Sequence, residues 1–132
     1  MIDHVSPNGT TSQLIKGVVR DEARGVFQGK ILVQKGADDT DARMGHHGLI
    51  ASDRGEIDVK PELIIYADEV QCAHGATVGT LDESALFYMQ QRGISADEAR
   101  ALLTHAFLIE VVDRIEDEGA REVVREWLTA RL

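Results

Sequence analysis

Cys72-Ala73-His74 is the stretch whose chemistry is easiest to name. On an extended strand, residues two apart project from one face, so a thiolate and an imidazole there could meet one soft metal ion or form an ion pair that activates the sulfur. Two ligands make no stable site by themselves, and a lone cysteine in a strand is more often a small buried hydrophobe. His46 and His47 stand in Met44-Gly45-His46-His47-Gly48, where the flanking glycines predict a turn. Adjacent residues of an extended chain point apart, so this pair reads as two solvated loop histidines rather than as ligands of one ion. Acidic groups fall at Asp38-Asp39, with Asp41 next, and at Asp68-Glu69. Such carboxylates, with calcium or as general acid and base, would suit a carbohydrate-active β-solenoid enzyme. Asp is also favoured in turns for its own backbone hydrogen bonds, and solvated turn acids are the simpler reading. No phosphate-binding glycine loop, dinucleotide fingerprint or nucleophile elbow occurs.

The elements that must carry these residues change character near residue 81. Both prolines and 10 of the 12 glycines precede it, among short apolar groups at Gln13-Leu14-Ile15, Gly17-Val18-Val19, residues 29–33, residues 48–51, residues 56–59, residues 62–66 and Val70-Gln71-Cys72. These are strand signals with turn punctuation, and the intervening turns are too short for helices. Residues 1–80 are therefore expected to be all-β. From Asp82 the apolar period becomes helical, with Asp82 as an N-cap and Gly93 as a stop. Ser95-Ala96-Asp97-Glu98 predicts a capping box. The helix behind it should bury Ala99, Leu102, Leu103, Ala106, Phe107, Val111 and Ile115, a stripe that Glu110 interrupts. Gly119 breaks the pattern, and a third helix from about Ala120 places Val123, Val124, Trp127 and Leu128 on one face. Residues 81–132 are thus expected to form three short helices packed directly on the β region.

A chain of 132 residues and 14.5 kDa has the size of one domain with an appendage, large enough to bury a core without metal or disulfide. Its net charge of -9 is spread over both parts, with 8 basic and 12 acidic residues through residue 81 and 6 and 11 beyond. That balance argues against nucleic acid and anionic membranes as partners. Mean hydropathy is -0.17, and the single cysteine fits a reducing, cytoplasmic setting.

Read as a whole, the run from Lys60 to Gly79, then Leu86-Phe87-Tyr88 and Gln91-Arg92-Gly93-Ile94, closely resembles the C-terminal part of the SufB/SufD scaffold family of iron-sulfur cluster assembly. Gly25-Val26-Phe27-Gln28-Gly29-Lys30-Ile31 and Thr40-Asp41-Ala42 are similar to that family as well, and Cys72 to Thr77 resembles its SufD branch. The resemblance implies the last coils of a right-handed parallel β-helix over residues 1–80, then a small three-helix domain over 81–132. It implies a non-enzymatic scaffold, excised from a longer chain, that pairs with a SufB-like subunit and docks a SufC-like ATPase through its helices. Under it His74, with Cys72 as a second candidate, contributes to a transient iron-sulfur cluster shared with SufB, while Arg92, Gly93 and Phe107 belong to the ATPase-docking module. The fragment alone is expected to hold no stable cluster or metal and to self-associate through its uncovered first coil. At Met44 to Gly48 and at Asp38-Asp39 the chain departs from the family's usual pattern.

Overall fold

A computed structural model describes all 132 residues as six strands followed by three helices. The strands are β1 (Ile2–His4), β2 (Thr10–Val19), β3 (Arg24–Val33), β4 (Asp41–Ile50), β5 (Glu56–Ile65) and β6 (Gln71–Thr80), and the helices are α1 (Glu83–Gln90), α2 (Ala96–Val112) and α3 (Glu118–Thr129). Odd strands form one sheet in the order β1-β3-β5 and even strands a second in the order β2-β4-β6. All pairs are parallel, so the chain crosses between sheets after every strand. The short crossovers bend through left-handed backbone at Asn8, Asp21, Asp39 and Glu69. Three of these are Asn or Asp, whose side chains tolerate that region.

The sheets face one another across a core of Ile31, Val33, Ala37, Ala42 and Met44, with Ile15, Phe27, Leu63 and Cys72 packed against it. Period-two alternation dictates the inner face of β4: Ala42, Met44, His46 and Gly48 are all buried. The expected turn at Met44 to Gly48 is therefore corrected, because these residues lie inside a ten-residue central strand. Gly48 marks close approach rather than chain reversal. A Cβ at Gly48 would lie 2.8 Å from Ile57 Cδ1 of the opposing sheet. Pro61 likewise interrupts nothing: it sits within β5, an edge strand, where a missing N–H need not break a ladder.

The opposite face of the even sheet receives the helices. Leu49, Leu81, Leu86 and Ala99 form a second cluster with Val18, Leu103 and Phe107 around it. Asp82 caps α1 by accepting from the backbone N–H groups of Ser84 and Ala85, and the Ser95–Glu98 capping box opens α2 as its spacing requires. The third helix starts two residues earlier than its apolar stripe suggests, because Asp117 caps it through the N–H of Ala120. The expected helical stripes are only partly buried. Leu102 is 52% exposed, Ala106 is exposed, and on α3 only Leu128 is buried, with Val123 and Trp127 more than half exposed.

Glu110, the interruption in the α2 stripe, forms an ion pair with Lys16 of β2, whose side chain is 6% exposed. Lys16 Nζ also donates to the Phe107 carbonyl at 2.9 Å and lies 4.4 Å from the centroid of the Phe107 ring. The pairing holds the Glu110 carboxyl below its ordinary range, first through the hydrogen bond from Lys16 and then through the charge of Lys16. A Lys16→Met chain should keep its far-ultraviolet dichroism but melt several degrees lower, since removal of the ammonium takes away the ion pair with Glu110 and the second donor to the Phe107 carbonyl. An unchanged melting curve would show that this latch contributes nothing.

Candidate functional site

Cys72 and His74 share a face of β6, the edge strand whose only hydrogen-bonded neighbour is β4. In register, Cys72 lies beside Ala42 and His74 beside Met44, both buried, so each points toward the side on which the two sheets meet. Their surroundings differ. Cys72 is half-buried against the core, which suits a structural thiol, whereas His74 is exposed. Both lie on one strand, but no group of three or more His, Cys, Asp or Glu side chains is placed to hold a metal ion. The two residues of this chain could supply at most part of a ligand set.

The two central histidines are not the solvated loop pair that their flanking glycines suggest. His46 is 4% exposed, stacked on Phe27 with ring centroids 4.4 Å apart, and its Nδ1 has no hydrogen-bond partner. Burial first, and the neighbouring His47 second, push its pKa below the ordinary imidazole value. His47 points to the other face, where its Nδ1 and Thr77 Oγ1 are 2.7 Å apart. Alternation from Ala42 through Met44 carries the signal that would have placed His46 inside.

The acidic pairs stay in turns. Asp38 accepts the backbone N–H of Asp68 at 3.0 Å, and Asp39 and Glu69 occupy the left-handed positions of their crossovers. Asp38 is thus tied to backbone geometry rather than aimed with a second carboxylate across a cleft.

The helical candidates lie apart from β6 residues 72 and 74. Arg92 is exposed and packs its guanidinium 3.5 Å from the centroid of the Tyr88 ring. Gly93 follows with φ +84°, a left-handed stop after α1 that strains any other L residue. Phe107 is half-buried beneath Lys16. Exposed Phe87, Tyr88, Leu102, Val123 and Trp127 give the helices an apolar outer surface. No helix is long and apolar enough to cross a membrane.

Comparison with known proteins gives this geometry a context. Residues 1–107 match the family described as "SUF system FeS cluster assembly, SufBD core domain". The chain is 38% identical over 131 residues to the iron-sulfur cluster assembly protein SufD of Escherichia coli, covering 99% of this chain and 31% of that protein. It is 39% identical over 125 residues to an iron-sulfur cluster assembly SufBD family protein of Synechocystis, covering 95% and 28%. Against SufD of Bacillus subtilis the identity is 34% over 106 residues, covering 80% and 24%. The chain spans about a third or less of the length of these relatives. The family match reaches from β1 into α2 and takes in the strand that carries Cys72 and His74, so this chain belongs to the SufB/SufD family of iron-sulfur cluster assembly proteins.

Proposed function

We propose that this chain is a SufD-like part of an iron-sulfur assembly scaffold, and that it acts by presenting groups to partners rather than by catalysing a reaction itself. The observation that carries the reading is His74: an exposed imidazole on an open edge strand, within the region matched to the family. Neutral imidazole is a good iron ligand and a poor anchor when alone, which suits a site that must release its product. The nascent cluster is cargo, completed by groups from a SufB-like subunit in the cytoplasm, and no resident cofactor is needed. Cys72, packed against the core, serves first as structure and only second as a ligand.

In this reading β1 to β6 are the last coils of a right-handed parallel β-helix over residues 1–80. Residues 81–132 are the module that docks a SufC-like ATPase, with Arg92 and Gly93 at its exposed first turn and Phe107 supporting it from beneath. The exposed apolar side chains of α1 to α3 support a partner on that side. In isolation, the uncovered strand edges favour self-association.

The test is His74→Ala in the protein assembled with its SufB-like and SufC-like partners. Cluster yield should fall about tenfold or more, as losses at metal sites commonly do, while subunit association and ATP hydrolysis persist. A normal yield overturns the assignment, and so does a stoichiometric cluster on the isolated chain.

A further inference from the structure

The outer face of the even sheet carries a polar row that neither the core nor the cluster reading uses. Lys16, His47 and Thr77 are register partners across β2, β4 and β6. Lys16 ties its end of the row to α2 through the Phe107 carbonyl and Glu110. At the other end, Thr77 Oγ1 meets His47 Nδ1 at 2.7 Å, the one side-chain hydrogen bond that β6 makes. The rest of that strand is poorly held. From Ala73 to Thr80 every residue is exposed, and a Cβ at Gly75 or Gly79 would touch nothing within 4 Å. A strand with one backbone neighbour and few side-chain contacts opens easily, so a cross-strand bond has unusual leverage there.

Resting on the reading that His74 meets the cluster, we infer that His47 is a positioning residue: its hydrogen bond to Thr77 pins β6 against β4 and fixes the direction in which His74 is presented. His47 touches no cargo. It acts three residues along the strand from His74 and from the opposite face of the sheet. It therefore limits how far β6 can twist or lift without occupying the space a partner needs. Because Lys16 anchors α2 in the same row, the edge strand and the helical side share one line of support across the sheet.

Amide hydrogen exchange on the 132-residue chain tests this. In His47→Ala and in Thr77→Val, which keeps the shape and strand preference of Thr, the β6 amides paired with β4 should exchange about three- to tenfold faster, the worth of one hydrogen bond. Thr77→Ser restores the hydroxyl and should return those rates to near the wild-type values, while β2 amides stay unchanged throughout. Rates in β6 that ignore both substitutions overturn the inference, as does a Thr77→Ser chain that exchanges as fast as Thr77→Val. The His74→Ala cluster measurement is separate: its failure removes the reading of the site, whereas unresponsive β6 amides remove His47 alone.

Discussion

Acidification from about pH 7 to about pH 5 is expected to lower the melting temperature of this protein, and replacing His46 with Phe to remove most of that fall. His46 is enclosed between the sheets, flat against Phe27, with an Nδ1 that no donor or acceptor reaches. The residues around it from the neighbouring strands are Ile15 and Gly17 of β2, Phe27 of β3 and Ile57 of β5. On its own face of the even sheet the ionisable groups are His74 and Cys72 of β6; His47 on the other face adds only positive charge, and Glu56 and Asp58 of β5 face outward, so no carboxylate turns toward it. A charged imidazole there has nothing to compensate its lost hydration. Its folded pKa is lowered, so the unfolded chain takes up the proton first as pH falls through the ordinary histidine range. Stability is therefore complete above that range, declines below it, and levels off once the folded form is protonated as well. The carboxylates act later. Glu62 is held low by Lys60 and Lys30, Glu98 by Ser95, and Glu110 by Lys16, so their contribution persists through mild acid and is lost only as pH falls below the usual carboxylate range. His46→Phe keeps ring volume and the stack and should cost less than about 1.5 kcal/mol at neutral pH. His46→Ala leaves a cavity and should cost about 3 kcal/mol at neutral pH. Melting curves of wild type and His46→Phe that shift in parallel between neutral and mildly acid pH would refute the account.

Gly29→Ala should damage the fold far more than a methyl on an open strand. Gly29 is buried in β3, and a Cβ there would stand 2.5 Å from Met44 Sδ and 2.7 Å from Phe27 Cζ. Neither neighbour has room to yield: Met44 is 3% exposed in the middle of the core, and Phe27 is stacked on His46. Overpacking of this kind costs about 2 kcal/mol, equivalent to a fall in melting temperature of roughly 5–10 °C for a domain of this size. Gly75→Ala supplies the control, because the same methyl in β6 meets nothing within 4 Å and should leave stability within about 0.5 kcal/mol of wild type. Equal melting temperatures for the two variants would mean that the core around Met44 is looser than its burial indicates.

The helices were legible because their signals are local. Asp82 and the Ser95–Glu98 box sit within four residues of the N–H groups they cap, and the chemistry that defines them needs no distant partner. The β half was legible as strands from its own spacing, whereas their parallel pairing was legible only through the family resemblance. Gly48 carries the same letter in a turn and in a strand crowded by an opposing sheet, and only Ile57 distinguishes the two. Glu110 was visible as a break in an apolar stripe, yet its explanation is Lys16, ninety-four residues away. Cys72 and His74 could be placed on one face by parity alone, while the exposure that separates them depends on β6 being an edge. The bare apolar faces of α2 and α3 escaped for a related reason: periodicity marks a face as apolar without saying whether this chain or another covers it.

The pairing interval has a mechanical consequence. Thr10 lies beside Asp41 and Asp41 beside Gln71, so each residue finds its partner about thirty positions back. As the chain leaves the ribosome, β3 can lie down on β1, β4 on β2, β5 on β3 and β6 on β4, each on a template already in place. Force applied to the helical end meets the same ladder in reverse. Once the latch between Lys16 and α2 has given way, it would strip β6 from β4 before it reaches the bonds between β4 and β2, and the tear would advance by one strand at a time rather than through the whole fold at once.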